Sequence, residues 1–135
     1  MPRAVDLAAL APGALVAQFS PEPSTHESLA AYAEASGDSN PLHLDLDFAR
    51  QAGFDNLVVH GMLGMAQLGR LLTDHFAAER LRSFEVRFEG MILAGQRVTY
   101  RARLQEASPQ GARLALEAVL ESGTRVISGT ALIST

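Results

Sequence analysis

Between Met62 and Gly69 only Gln67 is polar, and apolar residues continue through Leu71, Leu72 and Phe76. A helix over Gly61 to Phe76 with that pattern is apolar nearly all round, so it expects burial on most sides rather than a surface position. Gly64 and Gly69 each cost about 1 kcal/mol against alanine in a helix interior, which suits a helix whose backbone is closely approached. A chain of 135 residues makes one domain, taken here as 1–135, so a single element must wrap this helix.

The second half of the chain supplies the wrapping. Phe84, Val86 and Phe88 alternate with Glu85, Arg87 and Glu89, the period-two pattern of a strand with one covered face. Val98, Tyr100, Ala102 and Leu104 repeat the pattern against Arg97, Thr99, Arg101 and Arg103. Leu114, Leu116, Ala118 and Leu120 follow, then a last strand from Val126 to Ile133. Turn signals separate them at Ser108-Pro109-Gln110-Gly111 and Glu121-Ser122-Gly123. With a fifth strand near Ala14 to Phe19, the expected fold is α+β: one curved antiparallel sheet around one long helix.

The first half is loop-rich and helical. Ser24 with Glu27 reads as a capping box for a helix carrying Leu29, Tyr32 and Ala33, and Gly37 stands where a left-handed residue ends it. Pro41 keeps Asn40 out of the helical region, so Asp38 to His43 forms an ordered turn. Asp45 caps a short helix with Phe48, Ala49 and Ala52, stopped at Gly53.

Composition removes several classes of function. The chain has no cysteine, which excludes a disulfide framework, a thiolate metal site and a cysteine nucleophile. A net charge of -4 argues against nucleic acid as the main partner. The N-terminal stretch lacks the apolar run of a signal peptide and nothing reaches membrane-spanning length, so a cytoplasmic location is expected. All 11 basic residues are arginine. Arg82, Arg97, Arg101 and Arg103 could meet phosphates or an acidic carrier, although a solvated sheet face accounts for them more simply.

Four histidines are candidates for chemistry. His26 reads as solvated and His75 as a helix-end residue, both structural. His43 lies five residues after Asp38 across the proline turn, a spacing that lets a carboxylate and an imidazole converge on one water. Taken alone the turn also fits simple Asp and Asn bonding to backbone amides. His60-Gly61-Met62 opens the apolar helix, where unpaired amides suit a developing oxyanion and Gly61 leaves room for a ligand. A metal site from His43, Asp45 and His60 lacks any known ligand spacing, so no metal is expected.

Taken together, the run Tyr32-Ala33-Glu34-Ala35-Ser36-Gly37-Asp38-Ser39-Asn40-Pro41-Leu42-His43-Leu44-Asp45, then Ala52-Gly53-Phe54, then His60-Gly61-Met62-Leu63, resembles the signature of the MaoC-like dehydratases. Phe88 and Gly95 agree at the level of pattern. The resemblance implies a hot-dog fold and reversible hydration of trans-2-enoyl thioesters to (3R)-hydroxyacyl thioesters. It implies Asp38 and His43 as the catalytic pair and Gly61 as the amide on the thioester carbonyl, with Asn40 and His60 supporting the site. It also implies a homodimer or larger assembly with an acyl tunnel near the subunit interface. Phe48, Met62, Met65 and Leu72 are candidate tunnel residues. Coenzyme A or carrier phosphopantetheine would arrive with the substrate, so no separate cofactor is expected. Two departures stand out: Gly69 occupies a position where some (R)-specific hydratases carry serine, and Met91-Ile92 with Ala94-Gly95-Gln96 replace the usual proline-containing turn. A hot-dog thioesterase is the alternative enzyme, but Met62 to Thr73 holds no carboxylate to serve it. A non-catalytic acyl-thioester-binding subunit of a hetero-oligomer is the third reading.

Overall fold

The computed structural model describes residues 6–134. Five strands, β1 (Leu15–Phe19), β2 (Leu81–Phe88), β3 (Val98–Ser108), β4 (Gly111–Leu120) and β5 (Arg125–Ser134), form one sheet in the order β1-β3-β4-β5-β2. Every pairing is antiparallel. Three helices, α1 (His26–Ser36), α2 (Leu46–Gln51) and α3 (Gly61–Thr73), lie between β1 and β2 in sequence. Helix α3 packs on the inner face of the sheet, against β1, β2, β3 and β4.

Alternation along the strands produces that inner face. Tyr100, Ala102 and Leu104 on β3 stand opposite Ala118, Leu116 and Leu114 on β4, and all six are buried. Leu68, Leu71 and Leu72 of α3 complete the core against them. Fully burying a leucine side chain is worth about 1.5–3 kcal/mol, so these three residues tie the helix to the sheet by several kcal/mol. The close approach depends on Gly64. A Cβ there would lie 2.7 Å from Ile127 Cδ1, so the helix could not settle as deeply on β5 with a larger residue.

The helix is less enclosed than its sequence suggests. Gly64, Leu68, Leu71 and Leu72 are buried, but Met62, Ala66, Arg70 and Thr73 form an exposed stripe at helical spacing. The sheet curves around one side only, so the apolar residues on the other flank face outward. The helix also ends at Thr73, and the chain turns through Asp74 before burying Phe76.

Two further differences have local causes. The capping box of α1 uses Thr25 and Ser28 instead of Ser24 and Glu27: Thr25 is extended, and its hydroxyl and the Ser28 hydroxyl each accept from the other's amide. Ser24 is engaged elsewhere, its carbonyl accepting from the Gly95 amide at 2.9 Å. Gly37 ends α1 with φ of 78°, the left-handed conformation expected of it. In β5 the alternation breaks: Ala118 pairs with Ile127 but Val119 pairs with Arg125, leaving Val126 as the extra residue of a bulge. Val126 and Ile127 are consequently both buried, at 1% exposure each.

Candidate active site

The chain between α1 and α3 is irregular, and side chains hold it in place. Asn40 accepts from the Leu42 amide at 3.0 Å, starting the single turn Pro41–His43 with proline at its first position. Asp45 caps α2 by accepting from the Phe48 amide at 3.1 Å. The following segment docks as a rung between two others: the Val58 amide donates to the Leu42 carbonyl and the Val59 amide to the Ile92 carbonyl. This rung brings His60 and the start of α3 beneath the Asp38 turn.

Asp38 is fixed at three points. Its amide donates to Ser36 Oγ at 3.2 Å, and its Oδ1 accepts from the Asn40 amide at 3.3 Å. Its backbone carbonyl accepts from His60 Nε2 at 3.1 Å. Its second oxygen, Oδ2, stands 3.7 Å from His43 Nε2, too far for a hydrogen bond. The Asp38 side chain is 53% exposed while that of His43 is 11% exposed, so one partner faces solvent and the other the interior.

His43 is oriented by a backbone carbonyl. Its Nδ1 lies 2.7 Å from the Val58 carbonyl oxygen, which can only accept. Nδ1 therefore carries a hydrogen, and in the neutral ring Nε2 is the acceptor directed toward Asp38. The His43 ring stacks on His60 with centroids 3.7 Å apart and planes 22° apart. Tyr32 meets the His60 ring edge-on at 4.7 Å.

Asp38, His43 and His60 bring potential ligand atoms within 4.8 Å of one another. The stacking argues against a shared ion: nearly parallel rings aim their lone pairs in separate planes, and one metal cannot lie in both. Asp45, the third residue of the metal reading, is occupied in capping α2.

His43, His60, Asn40 and Gly61 line a cleft of about 380 Å³, together with Leu42, Val59, Phe88, Ile92 and Ile127. Helix α3 opens on this cleft. His60 makes no side-chain cap, and the amides of Gly61 and Met62 have no acceptor among the described residues. The Phe88 ring faces Gly61, 3.4 Å from where a Cβ would stand. The opposite wall, Glu89 to Ile92, hangs on the bulge: the Glu89 and Gly90 amides both donate to the Val126 carbonyl. A two-point ion pair between Arg125 and Glu89, at 2.8 and 3.2 Å, closes that edge and holds the Glu89 carboxyl below the usual carboxylate range.

The structure thus gathers Asp38, Asn40, His43, His60 and Gly61. It does not bring the four candidate tunnel residues to the cleft. Met62 is 61% exposed and Phe48 44% exposed, Met65 is half-buried on α3, and Leu72 is sealed in the core about three turns from the helix start. Gly69, where a serine stands in some hydratases, meets the Phe84 ring 3.3 Å from its Cβ position, so β2 fills the space a side chain would take. Sequence reading missed Phe88 and Ile127 as cleft walls and Val58 as the group that sets the His43 tautomer. Phe88 had a signal, its place on the apolar face of β2; a backbone carbonyl has none. His26 is not simply solvated, since its Nε2 bonds Asn56 Oδ1 at 2.7 Å. Three of the four arginines considered for phosphate contacts have partners: Arg97 lies near Glu22 and Glu121, Arg101 pairs with Glu117, and Arg103 donates to the Gly13 carbonyl.

An antiparallel sheet laid across one principal helix, with the polar cluster at that helix's N-terminus, is the hot-dog architecture. The chain belongs to the MaoC-like domain family, whose model matches residues 8–124. It superposes on the R-hydratase PhaJ1 of Pseudomonas aeruginosa with a TM-score of 0.82 and 25% identity, covering 95% of this chain and 83% of that one. It is 40% identical over 72 residues to the mitochondrial 3-hydroxyacyl-[acyl-carrier-protein] dehydratase of Arabidopsis thaliana, covering 53% of this chain and 43% of the relative. It is 38% identical over 117 residues to the fatty acid synthase beta subunit TOXC of Cochliobolus carbonum, covering 83% of this chain and 5% of that protein. The chain therefore spans less than half the length of these two curated relatives. None of its described helices is long and apolar enough to cross a membrane.

Proposed function

We propose that this chain is a hydro-lyase that reversibly hydrates trans-2-enoyl thioesters to (3R)-hydroxyacyl thioesters. The observation that carries the reading is His43 Nε2 facing Asp38 Oδ2 at 3.7 Å, with Nδ1 held by the Val58 carbonyl, beside a Gly61 amide that has no acceptor among the described residues. A water within about 2.8 Å of each group fits beside them, seen from the water at roughly a right angle. His43 Nε2 accepts a proton from that water while Asp38 Oδ2 holds its other hydrogen. The oxygen adds to the β-carbon, the double-bond electrons move toward the carbonyl, and charge gathers on the thioester oxygen. The Gly61 amide at the start of α3 stabilises that charge. The proton held by His43 then passes to the α-carbon on the same face, and the reverse sequence expels water.

The names of the relatives support the reaction class, since one is an R-hydratase and another a 3-hydroxyacyl-carrier dehydratase. The dehydratase's name specifies an acyl-carrier-protein thioester, and the substrate proposed here is a thioester of coenzyme A or of acyl carrier protein. Exposed Met62, Phe88 and Met91 beside the cleft suit a homodimer that covers them. Ultraviolet loss of the conjugated enoyl-thioester absorbance, followed over a series of enoyl-CoA chain lengths, tests reaction and chain length together. Asp38→Asn and His43→Gln serve as controls. Wild-type turnover retained by both variants would falsify the assignment, and thiol release without hydration would replace it with a thioesterase.

A further inference from the structure

His60 is the least exposed polar side chain of the site, at 1%, and its Nδ1 is buried with no partner among the described residues. An apolar ring at this position would avoid the cost of that unmet nitrogen. The imidazole must therefore be judged by what its other atoms do. Nε2 lies 3.1 Å from the Asp38 carbonyl oxygen, an obligate acceptor, so Nε2 carries the hydrogen. The other tautomer would set two lone pairs against each other there. One face of the ring lies against His43, and Tyr32 packs on it in a T-shaped arrangement. His60 thus touches both members of the proposed pair, one through its backbone and the other through its ring. It is also the residue from which α3 starts, so its position is tied to that of the Gly61 amide.

We propose that His60 is a positioning residue that couples the site: its Nε2–H tethers the Asp38 backbone, its ring face sets the tilt of His43, and its main chain carries both into register with the Gly61 amide. The role rests on the hydration reading above. The hydrogen bond and the ring contact are separable by substitution. His60→Phe keeps a flat ring against His43 and Tyr32 but loses the tether. His60→Gln keeps a donor near the Nε2 position but loses the stack.

A space-filling role makes phenylalanine the better replacement in every measurement. A tethering role makes the orders cross: His60→Phe keeps the higher melting temperature, while His60→Gln keeps the higher kcat. Displacing a reacting group by about 1 Å costs on the order of 100-fold in rate, so His60→Phe should lose about that much kcat with KM within about threefold of wild type. Full kcat in His60→Phe, or rates that follow the stability order, overturns the proposal.

Side-chain ¹⁵N spectra of the resting wild-type protein test the tether without turnover. The expected His60 signature is a protonated Nε2 and a bare Nδ1, with the Ser39 and Asn40 amide signals displaced in His60→Phe and close to wild type in His60→Gln. A His60 protonated on Nδ1 alone overturns it. If wild-type protein hydrates no enoyl thioester, the functional reading fails, and these spectra still decide whether His60 tethers the Asp38 turn.

Discussion

The β3–β4 hairpin and the segment from Asp38 to Gly61 use their backbones in opposite ways. In the hairpin, paired residues run from Val98 opposite Leu120 to Ser108 opposite Gly111, and the ladder consumes the main-chain donors and acceptors. The inward-facing side chains there have one task, to pack. In the Asp38–Gly61 segment the main chain is held by side chains, through Asn40, Asp45, His43 and His60. Bonds of that kind orient the side chains that make them, and among the described residues they leave the Gly61 and Met62 amides without an acceptor. The hairpin and the candidate site differ most in where their backbone hydrogen bonds go.

Substitutions should separate the two. The largest expected effect is on rate: Asp38→Asn and His43→Gln should each lower kcat/KM by about 10²–10⁴-fold while denaturant midpoints hardly move. A matching loss of stability would show that the loop is part of the fold's foundation and break the contrast. Leu114→Ala in the hairpin should cost about 2–5 kcal/mol in urea unfolding. Its surviving folded fraction should keep wild-type turnover per molecule.

Gly61 and Gly64 sharpen the comparison because one helical turn divides them. A methyl at Gly61 meets only the Phe88 ring at 3.4 Å, so Gly61→Ala should fold normally; it narrows the approach to the amide, and kcat/KM should fall by about 10-fold or more for a weakened oxyanion contact. A methyl at Gly64 collides with Ile127 at 2.7 Å, so Gly64→Ala should lose about 1–3 kcal/mol of stability by overpacking. If both variants lose activity and stability in parallel, helix and cleft are a single unit.

The smallest expected effect is on the pH dependence of stability. Burial pushes the Tyr100 hydroxyl up to about 12 from an ordinary 10. The folded state then keeps its proton where the unfolded state gives it up, so stability falls as pH rises from about 10 toward 12. The ceiling on this loss is about 2–3 kcal/mol, from roughly 1.4 kcal/mol per pH unit. Unfolding measured from pH 8 upward should show it in wild type and less of it in Tyr100→Phe.

The same contrast explains what could be read before the structure. Strand alternation is a repeating signal, so β3 and β4 and their turns were legible residue by residue. Asp38, His43 and Gly61 were legible because their types and order match a family signature. The capping box shifted by one residue because Ser24, Thr25 and Ser28 all have hydroxyls, and residue type alone does not say which of them stands at the first extended position before the helix. The tunnel residues were chosen by apolarity and helical spacing, which do not report which flank of α3 faces the cleft. The His43 tautomer depends on the Val58 carbonyl, a group every residue has.

The extra residue at Val126 has a consequence for how this protein can vary. On the hairpin side of it, the Glu121–Thr124 connection can change length with effects confined to the surface, because no cleft residue depends on its count. At the bulge itself one residue more or fewer swaps the faces of the strand between it and the turn. The residue left over opposite β4 would then no longer be Val126, whose carbonyl holds the Glu89 and Gly90 amides and with them that wall of the cleft. Lineages of this fold should therefore tolerate insertions freely in the turn and almost never two residues further on, which makes this short stretch a natural frame of reference for aligning distant members.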